Sequence, residues 1–411
     1  MSFRPFFITK QLTVTLAILT LVYIGCLFCS GFSVKDDKTP ASTAFAGSAS
    51  CQNCHKDIYL AHVKTAHYRT SKPGETKFIK GSFDSGRNTF TFNKFIQVVM
   101  TQTDSGAYQT AYLNGELLQM QRIDLVVGSG RKGQTYGYWN GDSLYELPIS
   151  YYTPLNSWCN SPGYSKFMVN FSRPINAHCM ECHGTYANEQ EALDGSTAYE
   201  KSSIIYGVDC EKCHGPAAEH VTYYQAHPLE KTAKFIIQPQ LLNRQQRLDA
   251  CALCHSGLRT ELQPAFSFKV GDKLDEFSTA VYQPDAASNL DVHGNQYGLL
   301  TASKCFKSSV NMDCSSCHNT HQEEVNQPKL FSERCMNCHN DSAHNTCTLP
   351  PTKGLVLAND CISCHMPLLP SKKIFLQMDD PSKSTPDLVR THRIAIYPEQ
   401  TKAYLKKLGF K

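Results

Sequence analysis

Cys51-Gln52-Asn53-Cys54-His55 is the first of seven segments in which two cysteines stand three positions apart and a histidine follows at once. Cys-x-x-Cys-His is the attachment signature of c-type haem. The two thiols bind the porphyrin covalently, and the adjoining histidine is placed to ligate the iron. The sequence therefore predicts seven covalently attached haem c groups. The residues expected to hold the porphyrins are Cys51, Cys54, Cys179, Cys182, Cys210, Cys213, Cys251, Cys254, Cys314, Cys317, Cys335, Cys338, Cys361 and Cys364.

Zinc sites and disulfides are the alternative uses of such cysteines. Structural zinc sites contain Cys-x-x-Cys pairs but need no histidine directly after the second cysteine. A disulfide is equally indifferent to the following residue. An eighth pair, Cys26 and Cys29, precedes a serine inside an apolar leader, so no haem is expected there. One disulfide among Cys159, Cys305 and Cys347 stays an open alternative.

The histidines supply enough axial ligands for every predicted haem. The seven motif histidines are the proximal ligands: His55, His183, His214, His255, His318, His339 and His365. The candidate distal ligands are His67, His178, His220, His293, His321, His344 and His392, and the spares are His62 and His227. Met180 and Met366 adjoin motifs and are interpreted as packing residues. A haem with two histidine ligands exchanges electrons without binding substrate, whereas an open sixth position allows chemistry.

Two of the distal candidates are tied by the chain to the proximal side of their own motif. His321 follows His318 by three residues, and His178 directly precedes Cys179. Neither is expected to reach the opposite face of its own haem. If either is a ligand, it should serve a neighbouring haem and hold two cofactors at a fixed offset.

The N-terminus has the composition of an export or anchor segment, assigned to residues 1–32. Arg4 and Lys10 precede an uncharged apolar run over 12–32, which is long enough to span a membrane. Ile24-Gly25-Cys26 resembles the end of a lipoprotein signal; an uncleaved anchor and a cleaved signal peptide are the alternatives. Each predicts an exported chain, periplasmic or at the outer surface, and the first two attach it to the membrane. The net charge of +4 does not suggest a nucleic-acid partner.

The rest of the chain divides by the position of the motifs. Thr89-Phe90-Thr91-Phe92 alternates at period two, and Asn114-Gly115 and Asn140-Gly141 are hairpin signals. We expect a linker over 33–50, a first haem segment over 51–74, a β-rich insertion over 75–160, a six-haem region over 161–400 and a tail over 401–411. Because short gaps separate the later motifs, the sequence predicts a mainly α and irregular, multihaem-packed cytochrome fold with a small antiparallel β insertion.

Several segments resemble multihaem cytochromes that carry the cytochrome c-552/c-554-like domain. They are Gly47-Ser48-Ala49-Ser50, Leu147-Pro148-Ile149-Ser150-Tyr151-Tyr152, Ser161-Pro162-Gly163-Tyr164, Gly207-Val208-Asp209-Cys210, Cys213-His214-Gly215-Pro216, His293 with Tyr297, Cys317-His318-Asn319-Thr320-His321 and Cys364-His365-Met366-Pro367. The resemblance implies distal ligands at His67, His220, His321 and His392. Thr320 and Cys305 depart from the usual proline and methionine. Such proteins include electron carriers and nitrogen-oxide enzymes with one open haem.

Two functions from different classes follow. The preferred one is a non-catalytic electron conduit between a quinol-oxidising membrane protein or another cytochrome and an external acceptor. Its basis is the surplus of histidines and the absence of any clear catalytic set of residues in the sequence. The alternative is an oxidoreductase acting on a small nitrogen or sulfur compound at one open haem near the β insertion.

Overall fold

The structure, a computed structural model, describes residues 44–192, 194–281, 290–340, 347, 357–378 and 384–410. They belong to one unit, Ala44–Lys411. The predicted export segment, the linker as far as residue 43 and the candidate ligand His344 lie outside the described residues. Within those described ranges, every helix is too short or too polar to cross a membrane.

The helices are short and most of them surround the cysteine motifs. In chain order they are α1 Ser48–Cys51, α2 Lys56–His62, α3 Ala177–His183, α4 Cys210–His214, α5 Ala218–Ala226, α6 Arg244–His255, α7 Gln296–Thr301, α8 Lys304–Ser308, α9 Pro328–Met336, α10 Cys361–His365 and α11 Pro398–Lys407. The longest, α6, begins with a capping box in which Asn243 and Gln246 bond each other's backbone.

Strands are more numerous than helices among the described residues. They are β1 Ser71–Pro73, β2 Thr89–Thr91, β3 Ile96–Thr103, β4 Gly106–Leu113, β5 Glu116–Arg122, β6 Leu125–Val127, β7 Gly133–Asn140, β8 Ser143–Glu146, β9 Ile149–Tyr152, β10 Ser157–Asn160, β11 Arg173–Pro174, β12 Gly184–Tyr186, β13 Glu189–Glu191, β14 Thr197–Tyr199, β15 Ile205–Tyr206, β16 Arg259–Glu261, β17 Ser278–Ala280, β18 Leu368–Gln377 and β19 Ser384–Arg390.

An 11-stranded antiparallel sheet is the largest element of the fold. Its main path runs β13-β14-β8-β7-β9-β10-β18-β19, with β6, β1 and β11 attached beside it. A four-stranded sheet has the order β2-β3-β4-β5, and two further sheets pair β12 with β15 and β16 with β17. The expectation of a mainly α and irregular fold with a small β insertion is therefore wrong.

The physical reason lies in strands that pair across long stretches of sequence. β18 and β19 come from the C-terminal region, yet Gln377 of β18 pairs with Asn160 of β10. β13 and β14 join the same sheet through Ala198 and Ser143. Short strands of this kind are stabilised by partners far along the chain, so local periodicity does not reveal them. The two hairpin predictions are confirmed: β4 joins β5 at Asn114-Gly115, and β7 joins β8 just after Asn140.

The main apolar core lies between the large sheet and the four-stranded sheet. Phe90, Phe92 and Met100 of the small sheet are fully buried with Tyr136 and Trp158 of the large one. This is the packing of a β-sandwich, in which inward-facing side chains of two sheets interdigitate. The other two clusters of buried apolar residues in the described part of the chain also lie on the large sheet. Residues 207–365 thus add little to these clusters.

Candidate haem sites

Each cysteine motif lies on about one helical turn, which brings its first cysteine and its histidine to the same side. The turn is closed by the backbone hydrogen bond from the histidine N–H to the first cysteine's carbonyl, 2.8 Å at His55, 3.0 Å at His318 and 2.9 Å at His339. An i, i+4 spacing places both side chains on one face. The local geometry therefore suits a flat group held by thiols and ligated by an imidazole.

Aspartate residues begin three of these turns, a feature that the sequence interpretation missed. Asp209 accepts a hydrogen bond from the Cys210 N–H, Asp313 from the Ser316 N–H and Asp360 from the Ser363 N–H. Such capping satisfies backbone donors at the start of a turn and stabilises a helix by about 1 kcal/mol. In the sequence, an aspartate directly before the first cysteine of each of these three motifs was the signal for this capping.

Four pairs of imidazoles lie opposite each other at nearly one spacing. Their ring centroids are 6.1 to 6.4 Å apart, and each pair joins a motif histidine to a candidate distal ligand: His55 with His220, His214 with His321, His255 with His67, and His318 with His392. An iron between two imidazoles, each bound at about 2.0 Å with the nitrogen about 1.1 Å from its ring centre, requires roughly 6.2 Å. The pairs fit a haem iron.

His321 has two histidine neighbours, and hydrogen bonding separates them. Its ring centroid is 6.1 Å from that of His214 and 6.4 Å from that of His62. Both nitrogens of His62 face backbone carbonyls, Nδ1 at 3.4 Å from Thr320 O and Nε2 at 3.2 Å from Val208 O. The neutral His62 ring has one N–H and can donate to only one of these carbonyls, and the shorter contact is the one to Val208 O. His214 belongs to a cysteine motif and His62 does not, so we pair His321 with His214.

Several motif and partner histidines are oriented through Nδ1, which leaves Nε2 available. The Nδ1–H groups of His214, His220 and His365 donate to the carbonyls of Ile237, Lys234 and Ala395 at 2.9, 2.8 and 3.0 Å. A carbonyl on one ring nitrogen fixes the tautomer and the orientation of a metal-binding histidine. The polypeptide thus prepares these rings for ligation.

Burial keeps two of the candidate distal ligands neutral. Burial, assisted by the charge of His255 and other cations, lowers the pKa of His67 to about 4. Burial and the neighbouring His318 likewise lower the pKa of His392 to about 4. A neutral imidazole is the form that binds iron.

The distal candidate His178 and the predicted spare His227 have other contacts. His178 lies between two carboxylates, with Nδ1 at 3.2 Å from Glu181 and Nε2 at 2.9 Å from Glu261. The exposed His227 stacks on Tyr223, with the ring centroids 4.3 Å apart. Neither ring faces a motif histidine at the iron spacing among the described residues.

His183 has a different environment from the four paired motif histidines. Its Nδ1 forms a 2.9 Å hydrogen bond with the Thr70 hydroxyl, and Ser71 Oγ donates to its carbonyl at 2.6 Å. Burial lowers its pKa. Within the described residues, none of the imidazole pairs at 6.1 to 6.4 Å includes His183.

A polar cluster around Asp387 lies at the end of the 128–132 connection. The Gly128 N–H donates to Thr70 O at the start of that connection. At its end, Lys132 Nζ lies 2.9 Å from Asp387 Oδ1. Tyr152 OH donates to the same oxygen at 2.6 Å, and His293 Nδ1 lies 3.6 Å from Oδ2. Burial opposes ionisation of Asp387, but hydrogen bonds from these neighbours outweigh it and hold its pKa well below the usual value.

Cysteines of different motifs touch one another. The thiol of Cys51 is in hydrogen-bonding contact with that of Cys210. The other three thiol contacts are Cys182 with Cys254, Cys251 with Cys314, and Cys335 with Cys361. Weaker electrostatic interactions link Cys213 to Cys251 and Cys317 to Cys335. The seven motifs therefore form one connected set. In the described part of the chain, no disulfide joins any two of Cys159, Cys305 and Cys347.

Comparisons with known proteins find cytochromes and a sulfite reductase. The family described as cytochrome c554 and c-prime matches residues 162–215, which hold the second and third motifs. Dissimilatory sulfite reductase MccA of Wolinella succinogenes is 22% identical over 415 residues, which cover 80% of this chain and 52% of MccA. The chain thus spans about half the length of that relative.

A solved structure shares the fold. The crystal structure of the outer cell wall cytochrome OcwA matches with a TM-score of 0.55 and 17% identity, covering 87% of this chain and 81% of OcwA. At that identity the likeness concerns the fold. The cysteine–histidine turns, the match to the cytochrome c554 and c-prime family over 162–215 and the similarity to MccA support a multihaem c-type cytochrome, and OcwA shares its fold.

Proposed function

We propose that this chain binds seven haem c groups and relays electrons outside the cytoplasm. The observation that carries the proposal is the series of neighbouring cysteines that links the motifs, four pairs of them in contact and two pairs interacting at longer range. Haem c supplies one-electron transfer when it is bound. The contribution of the polypeptide is to hold successive attachment sites against one another and to ligate most irons on both sides.

The thiol contacts imply an order of sites that differs from the order along the chain. Cys51 against Cys210 joins the first motif to the third, and Cys335 against Cys361 joins the sixth to the seventh. Cys251 against Cys314 joins the fourth motif to the fifth, and longer-range interactions of Cys213 with Cys251 and of Cys317 with Cys335 supply the two remaining steps. With each site named by its histidine, the series runs His55, His214, His255, His318, His339 and His365. The His183 site joins this series as a branch at His255, through Cys182 and Cys254.

The paired imidazoles support a relay over catalysis. Four of the seven motif histidines face a second histidine at the spacing of a doubly ligated iron. Such an iron has no position for substrate. The predicted leader and the fold shared with an outer cell wall cytochrome support an exported location. We infer a quinol-oxidising membrane protein or another cytochrome as donor and the N-terminal segment as the attachment to the membrane.

Variants that remove one attachment site test the order. The fully reduced holoprotein is mixed with a ferric acceptor protein, and the number of haems that reoxidise in the fast phase is counted from the α band. Replacing Cys251 and Cys254 by alanine removes the haem in the middle of the series. Only the haems on the acceptor's side of the missing one should then be reoxidised in the fast phase. Replacing Cys179 and Cys182 removes only the haem at the His183 site, which lies on a branch of the series. All six remaining haems should then be reoxidised in the fast phase.

Mass spectrometry gives the controls for both double variants. The unaltered chain should carry seven tetrapyrroles and each double variant six. Equal fast phases in the two variants contradict the proposed order. Fewer than seven tetrapyrroles in the unaltered chain contradicts the haem count.

A second candidate function is reduction of a small nitrogen or sulfur compound at the His183 site. It is favoured by the environment of His183 and by the polar cluster of Lys132, Tyr152, His293 and Asp387 at the end of the 128–132 connection. The similarity to a sulfite reductase over 80% of the chain supports it. This function predicts that about one-seventh of the ferric haem is high-spin and that sulfite or nitrite changes this signal. A wholly low-spin spectrum that neither ion alters contradicts it.

A further inference from the structure

Three loops meet at one end of the four-stranded sheet. They are residues 93–95 between β2 and β3, residues 113–117 around the turn between β4 and β5, and residues 165–168 after β10. The Asn114 N–H donates to Phe95 O at 2.8 Å, and Asn93 Nδ2 donates to Phe167 O at 3.2 Å. These bonds hold the three loops together as one surface, here called the loop patch.

The loop patch exposes large apolar side chains. Phe95 is 51% exposed, Leu117 64%, Phe167 68% and Met168 65%, and Leu113 beside the turn is 40% exposed. Single exposed apolar residues are ordinary on a protein surface, but several on adjoining loops mark an interaction site. The patch lies at one end of the four-stranded sheet, and none of its residues belongs to a cysteine motif.

The charge on the loop patch favours a lipid membrane over a second copy of the chain as its binding partner. Lys94 and Lys166 each precede one of the exposed phenylalanines, and the Lys94 ammonium lies 4.8 Å from the Phe95 ring centre. Within the three loops, Glu116 is the only acidic residue. Lysine beside aromatic and aliphatic side chains is the composition that binds the boundary between lipid headgroups and acyl chains. A second copy of the patch would instead bring lysines against lysines.

We propose that the loop patch binds the surface of an anionic lipid membrane. Phe95 and Phe167 enter the boundary between headgroups and acyl chains, and the two lysines contact anionic headgroups. This contact is independent of the N-terminal segment and orients the β-sheet unit against the membrane. It does not depend on the proposed relay, because none of its residues belongs to a haem motif.

Hydrogen–deuterium exchange of the full-length holoprotein tests the proposal, because it reports on the loops whatever the N-terminal segment does. The protein is compared in detergent micelles, in phosphatidylcholine vesicles and in vesicles containing about one-quarter phosphatidylglycerol. Amide exchange over the three loops should slow by at least about threefold in the anionic vesicles relative to detergent. Added salt should weaken the effect, since screening reduces attraction between exposed charges.

Surface variants separate the contributions. A Lys94→Gln, Lys166→Gln double variant and a Phe95→Ser, Phe167→Ser double variant should each lose the protection, whereas Leu229→Ser, at a position 88% exposed elsewhere, should keep it. Equal exchange in anionic vesicles and detergent overturns the proposal. Protection that is unaffected by the lysine variant also overturns it. So does protection that rises with protein concentration in detergent, because it indicates that a second copy covers the patch.

Discussion

Replacing His321 by alanine is the most direct test of the ligand pairs. The ring of His321 lies 6.1 Å from that of His214, the spacing of two imidazoles on one iron. The nearby His62 belongs to no cysteine motif, and its ring is held by a hydrogen bond to the carbonyl of Val208, with its other nitrogen near that of Thr320. We therefore expect one iron to lose its sixth ligand while the attachment of every haem is unchanged.

The size of the effect follows from the number of sites. One open iron among seven motifs makes about one-seventh of the ferric haem high-spin, and the ferrous protein should bind one additional carbon monoxide per chain. Electron paramagnetic resonance measures the first quantity, and a carbon monoxide titration followed in the Soret band measures the second. Mass spectrometry verifies that the tetrapyrrole count is unaltered.

His62→Ala is the matched control. His62 lies 6.4 Å from the same ring, so its removal disturbs the same region. It should lower the free energy of unfolding by about 1 kcal/mol through the lost hydrogen bond to Val208 O. Its spectrum and carbon monoxide binding should equal those of the unaltered protein. An unchanged spectrum in His321→Ala, or an open iron in His62→Ala, refutes the pairing of His214 with His321.

Three further variants test the contacts that hold the sites. Asp387→Asn should lower the free energy of unfolding by about 1–3 kcal/mol at neutral pH. Because the folded-state pKa of Asp387 is depressed, this loss is present above about pH 4 and fades as the pH falls further, so denaturant titrations that show no pH dependence contradict it. Gly81→Ala places a Cβ 2.0 Å from the Trp158 ring and should cost about 1–3 kcal/mol; an unchanged melting temperature contradicts the packing. Glu211 accepts three backbone N–H groups, two of them just before the first motif. Glu211→Gln should therefore speed proteolysis of that segment, whereas Glu230→Gln should not.

Part of the haem chemistry was available from the sequence. The Cys-x-x-Cys-His spacing predicts attachment because thioether formation and proximal ligation both need residues within one helical turn. The Asn-Gly hairpins and the alternation around Phe90 were equally local, and the structure has strands at those places. The sequence predicted candidate distal ligands but not their partners. The surplus of histidines indicates that ligands are present without indicating which iron each one binds.

The prediction of a mainly α and irregular fold was wrong for a related reason. β18 contains a proline, so its own sequence carries little strand signal. It pairs with β10 through a single residue pair. Its place in the sheet depends on partners about two hundred residues earlier in the chain. The chain after His183 was interpreted as loops and helices, although β13 and β14 follow the second motif, β18 and β19 follow the seventh, and all four join the 11-stranded sheet.

The sequence by itself determined where haem c is expected to attach, since the two cysteines and the proximal histidine of an attachment site lie within five consecutive residues. Only the tertiary structure decided which imidazole faces which motif histidine, which thiols touch, and how far the sheet extends. Those contacts join segments far apart in sequence. They arise from the burial of apolar side chains between sheets and from hydrogen bonds across the folded chain, neither of which local spacing encodes.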